Sequence, residues 1–109
     1  MDDTGHIVVF ITAGTGTEAQ RLRDVLLKSR QAACVNIIPK MNSAYWWQGQ
    51  IESAEEHPVI AKTKASRFDA LVGLVKQNHS YRVPEIIAMP VLGGNPDYLA
   101  WIDKEVCEE

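Results

Sequence analysis

Apolar and polar positions change period several times along the chain, and each change marks an element. His6 to Thr12 (HIVVFIT) is a β-branched run between Gly5 and Gly14, which predicts a strand buried on both faces. From Thr17 the sequence TEAQ places a hydroxyl three residues before Gln20, a capping-box pattern. Leu22, Val25 and Leu26 follow at helical spacing, so a helix is expected to run to about Arg30. Ala33 to Pro39 is apolar and short, a second strand confined by Pro39 to an edge, a bulge or a strand end. Ser43 to Ser53 reads as a hairpin turning at Gly49, with a long second arm bulged near His57-Pro58. The arm continues into PVIAKTK, whose alternation predicts one wet face. Phe68, Leu71, Val72 and Val75 form the stripe of a second helix ending near Asn78. Pro84 to Leu92 supplies another strand. Asn95-Pro96 opens a last helix, with Asn as cap and Pro in the first turn.

Strand, helix, strand, strand, helix, strand is the split βαβ order. It predicts an α+β, ferredoxin-like βαββαβ sandwich with both helices on one sheet face, a long hairpin and a C-terminal helix. The terminal helix can cover part of the other face. Tyr45, Trp46 and Trp47 on the hairpin are too aromatic to leave in water on a chain this small, and self-association is the natural remedy. With 109 residues and 12.2 kDa, the expectation is a single domain over residues 1–109.

Charge and cysteine usage narrow the partners. A net charge of -3, with no basic cluster, argues against nucleic acid. Cys34 and Cys107 form no Cys-x-x-Cys and are too few for a disulfide scaffold, which favours a reducing compartment and a cytoplasmic location. Asp2 and Asp3 stand where a signal peptide needs basic residues, and Ile7 to Ile11 is too short an apolar run for a membrane segment, so no membrane partner is expected.

Three features bear on chemistry. Gly14-Thr15-Gly16-Thr17-Glu18-Ala19 matches G-x-G-x-x-A, but a dinucleotide fold needs more parallel strands than this chain holds. The expectation is a flexible turn and no required cofactor. Cys34, His79 and Glu85 are types that make a thiolate–base pair or a soft-metal site, although Cys34 sits in an apolar run as a core cysteine would. Asn78 to Ile86 gathers an imidazole, a phenol, a guanidinium and a carboxylate into one helix-to-strand connection.

That segment resembles the HPYExPEI-like signature of the CutA divalent-cation tolerance proteins. Gln31-Ala32-Ala33-Cys34-Val35-Asn36-Ile37-Ile38-Pro39 resembles the family's L-A-A-C-V-N-I-I-P. Ser43 to Gly49 resembles its S-x-Y-x-W-x-G, Ile60 to Thr63 its I-I-K-T, and Asn95 to Ile102 its terminal G-x-x-x-Y-L-x-W-I. The blocks cover nearly the whole chain in order. Departures are Gly14-Thr15-Gly16 where a proline and an acidic residue are usual, Ile11 where some members carry a cysteine, Ser80 for proline, and Arg82 at an often acidic position.

The resemblance implies a homotrimer of PII-like architecture, with hairpins wrapping neighbouring subunits, and a role in copper and divalent-cation tolerance by ligand binding, metal binding or signalling rather than catalysis. Absence of Met-x-Cys-x-x-Cys sets aside the copper chaperones of the same fold. Two rival readings are an enzyme working between subunits and a structural trimer that scaffolds partner proteins. Lys62, Tyr81, Glu85 and Trp47 are expected to line an intersubunit cleft. His79, assisted by Cys34, is the expected ligand for a weakly held copper or similar divalent ion.

Overall fold

The computed structural model describes residues 3–107; Asp2 lies outside them. Strand β1 (His6–Ala13) is followed by helix α1 (Gly16–Lys28), short strand β2 (Cys34–Ile37), the hairpin strands β3 (Met41–Trp47) and β4 (Gln50–Lys64), helix α2 (Phe68–Gln77), strand β5 (Ile86–Pro90) and helix α3 (Pro96–Glu105). β4 pairs with β1 on one side and with β2 and β3 on the other, and β1 pairs with β5, all antiparallel.

Three local expectations shift. The cap of α1 is Thr15 rather than Thr17: its hydroxyl accepts the Glu18 N–H at 3.1 Å, one register earlier than the TEAQ pattern suggests. The helix stops at Lys28, where the Arg30 and Gln31 N–H groups bond back to Leu27 and Leu26 and Arg30 takes a left-handed φ of 62°. The bulge expected near His57-Pro58 is also displaced. β4 keeps one register against β1 from Lys64 to His57, while across from it the pairing slips by one residue between β2 and β3, at Ile38 to Lys40. Pro39 sits in that slip, where its missing N–H is tolerated.

The core lies on one sheet face. Ile7, Val9 and Ile11 of β1 and Val59 and Ala61 of β4 pack against Leu22 and Leu26 of α1 and Leu71 and Val75 of α2. The opposite face is only partly covered. α3 caps one end, where Asp103 Oδ1 lies 2.8 Å from His6 Nε2 and Tyr98 reaches Cys34. Beyond it, Ile87 and Met89 of β5 stand 53% and 52% exposed, on the face they share with Phe10, Val8 and Ile60.

β4 outruns β1, so Met41 to Glu56 form a two-stranded arm with no other strand beside it. The chain exposes 6730 Å², above the roughly 6,000 Å² expected of a compact monomer of its mass, as a projecting arm requires. At the arm's tip Gln48 (φ 51°) and Gly49 (φ 81°) make a two-residue turn with both central residues left-handed. Asparagine tolerates that region better than glutamine. Gln48→Asn is therefore expected to raise stability by about 0.5 kcal/mol, read as a higher midpoint in thermal melting; an unchanged or lower midpoint contradicts this turn assignment.

Candidate functional site

The site begins at the start of α1. Glu18, 4% exposed, turns its carboxylate back over the strand-to-helix turn, and Oε1 accepts the Gly14 N–H at 2.9 Å. Oε2 accepts the Ser80 N–H at 2.6 Å, which fastens the α2–β5 loop to α1. Burial pushes the Glu18 carboxyl upward, but the hydrogen bonds from Gly14 and Ser80 and the nearby His79 outweigh it and hold the pKa below 4.5.

That clamp fixes the loop's side chains. The His79 imidazole is fully buried; Nε2 donates to the Thr12 carbonyl at 2.7 Å and Nδ1 accepts the Tyr81 N–H at 3.0 Å. Tyr81 then lies over Gly14, where a Cβ would come within 3.1 Å of its ring and hydroxyl, so glycine here is a matter of close approach. The Tyr81 hydroxyl donates to Glu56 Oε2 at 2.9 Å. Burial and the Glu56 carboxylate push the Tyr81 pKa up to about 12, so the phenol stays protonated and acts as a donor at neutral pH.

Around this pair opens a cavity of about 590 Å³ between the arm and the loop. Tyr45 and Trp47 of β3, Glu52 and Glu56 of β4, and Tyr81 and Glu85 of the loop form its walls, and Arg82 also borders it. Three of the four expected cleft residues, Trp47, Tyr81 and Glu85, are thus brought together. Lys62 is not among them. It lies six residues beyond Glu56 on β4, about 20 Å along the strand, and its ammonium donates to Asn36 Oδ1. A cleft that joins all four residues needs a second copy of the chain.

The expected metal pair is not assembled. His79 has both ring nitrogens engaged and no solvent access, whereas Cys34 pairs with Lys62 on the far part of the sheet, against Asn36 and Tyr98. Thr12, which holds His79, stands opposite Pro58, four β4 residues from Lys62, so the two candidate ligands are separated by about 13 Å of strand before the lateral offset. Among the described residues no group of three His, Cys, Asp or Glu side chains is placed to hold an ion, so these residues do not fit a resident metal. Copper titrated into the purified protein is expected to bind the native chain and a His79→Ala variant equally; a loss of affinity in the variant restores His79 as a ligand.

Glu18, Gly14 and Glu56, which fix the site, and the wall residues Tyr45 and Glu52 were missed in the sequence reading. Glu18 was legible as the fourth member of Thr15-x-x-Glu18, a capping box overlooked in favour of TEAQ. Gly14 and Glu56 carry no local signal, because their partner is Tyr81, 67 and 25 positions away in the chain.

A family model described as CutA1 divalent ion tolerance protein matches residues 7–105. The chain is 43% identical over 102 residues to a rice protein named Protein CutA 1, chloroplastic, covering 94% of this chain and 58% of that relative, so it spans less than two-thirds of the relative's length. It is 40% identical over 100 residues to the divalent-cation tolerance protein CutA of Pectobacterium atrosepticum, covering 92% and 91% of the two chains. The crystal structure of CutA1 from Oryza sativa superposes with a TM-score of 0.94 at 41% identity, covering 98% of each chain.

Proposed function

This chain belongs to the CutA1 divalent ion tolerance protein family, and on that premise we propose that it is a homotrimer acting in divalent-cation tolerance, copper included, by binding a ligand in clefts between its copies. A general role in divalent-cation tolerance follows from relatives named for it. The observation that carries the finer reading is the unfinished surface: a half-apolar sheet face and a bare two-stranded arm beside an open cavity. A lone hairpin is marginal in water and gains stability only against further surface. Trp46 and Ile51 face each other across it at 73% and 67% exposure. Interface cores favour such aromatic residues.

Several features support the remaining details. The strand order β2-β4-β1-β5, with α1 and α2 packed on one face, agrees with the ferredoxin-like sandwich of the PII-like trimers. A phenol held protonated and paired to a carboxylate suits binding better than proton abstraction, which supports a binding role over a catalytic one. The response to copper does not run through a resident ion on His79 and Cys34. Both cysteines are free thiols, which supports a reducing, cytoplasmic setting, while the rice relative is named chloroplastic. Among the described residues no helix is long and apolar enough to cross a membrane. The net charge of -3 argues against nucleic acid as the partner.

A host strain lacking the protein is expected to grow poorly at elevated copper and to recover when the chain is restored. Equal growth with and without it contradicts the tolerance role.

A further inference from the structure

The buried histidine of the loop stands between two partners, and each suits a different protonation state. The Thr12 carbonyl can only accept and the Tyr81 N–H can only donate, so at 2.7 and 3.0 Å they fix the neutral ring with its proton on Nε2. Glu18 Oε2 lies 3.8 Å from the same Nδ1 that accepts from Tyr81. A proton added to Nδ1 sets two donors against each other and takes the acceptor from the Tyr81 N–H. The acceptor that a small rotation brings into reach is the Glu18 carboxylate, a charge-assisted partner in a buried site.

The groups around the ring leave that exchange open. From α1 come Glu18 and Arg21, whose guanidinium lies 3.4 Å from Oε2 and also donates to the Asn78 carbonyl. β1 supplies the uncharged Thr12 carbonyl, and in α2 the charge nearest in sequence, Lys76, is exposed. From the loop comes the Tyr81 ring, with its centroid 4.8 Å away and a phenol that stays neutral with its pKa at about 12. Arg82, next in the chain, is exposed. β4 presents Glu56, bonded to the Tyr81 hydroxyl, and His57, beside Gly16.

We propose that His79 is a pH-sensitive switch for the α2–β5 loop: on gaining a proton the ring keeps Thr12, exchanges Tyr81 for Glu18, and frees Tyr81 to swing away from Gly14 and Glu56. The ring and its three partners belong to one chain, so the exchange needs no second copy. Tyr81 walls the cavity, so acid reshapes the site that the neutral protein keeps.

Titration of the full-length protein in its native assembly from about pH 7.5 to about pH 5, followed by the His79 ring nitrogen resonances and by amide exchange, tests the switch. The Glu18 carboxyl, held below 4.5, stays ionised across that range. His79 is expected to gain its proton in one step while the chain stays folded. In the same step Tyr81 amide exchange, corrected for its intrinsic pH dependence, is expected to rise at least about tenfold, with Leu22 and Leu71 unchanged. Glu18→Gln removes the charge but keeps an acceptor oxygen, and should move the step to lower pH. His57→Gln should leave it in place. The switch is overturned if native His79 stays neutral throughout, if it titrates while Tyr81 stays protected, if Glu18→Gln leaves the step where it was, or if His57→Gln abolishes it.

Discussion

Glu18→Ala is expected to destabilise the chain by about 3 kcal/mol and to release the Asn78–Glu85 loop. The substitution strips the acceptor from two N–H groups, those of Gly14 and Ser80, which meet it at 2.9 and 2.6 Å. An orphaned donor costs about 1–3 kcal/mol when it is buried, and these two are partly so. The loss spreads beyond the bonds, because Ser80 stands between His79 and Tyr81 and its anchor sets both. Chemical denaturation reads the energy. Faster amide exchange at Ser80 and Tyr81 reads the loosening, and a variant within about 1 kcal/mol of the native chain contradicts the clamp.

The same carboxylate gives a pH signature. Its folded pKa lies below 4.5, so the stability it contributes is present above the unfolded value and is lost as pH falls through the folded one. The gap in stability between the native chain and Glu18→Gln is therefore expected to be full at neutral pH and to narrow as the solution is taken below pH 4.5. A gap that widens with acid reverses the sign and refutes the assignment.

Trp46→Ala combined with Trp47→Ala is expected to dissociate the assembly while leaving each chain folded. Both residues lie on the arm, Trp46 73% and Trp47 42% exposed, and neither belongs to the core around Leu22 and Leu71. Interface tryptophans are frequent hot spots at about 2 kcal/mol or more each, so the pair is worth roughly a thousandfold in association. Gel filtration of the double variant should shift to the monomer position with an unchanged circular dichroism spectrum. An intact assembly removes the arm from the interface.

What the sequence displays best is periodicity read locally. The β-branched run of β1, the stripe Phe68, Leu71, Val75 and the Asn95-Pro96 start of α3 each carry their structure within a few residues, and each forms where the pattern places it. Trp47, Tyr81 and Glu85, singled out by chemistry and motif, border one cavity. The His79–Cys34 pair is separated because composition near a motif does not report distance along a sheet, and Lys62 lies outside the cavity of its own chain. His79 looks like a ligand in sequence and is a buried strut in space, spent on Thr12 and Tyr81. Glu56 shows the converse: one glutamate in an acidic stretch, distinguished only when a loop 25 residues away brings a phenol to it.

The central claim is that the open sheet face and the projecting arm are completed by other copies of the same chain, and the molar mass of the purified native protein tests it most directly. Static light scattering at micromolar concentration is expected to give a mass near three times 12.2 kDa. A monodisperse species at 12.2 kDa would contradict the account.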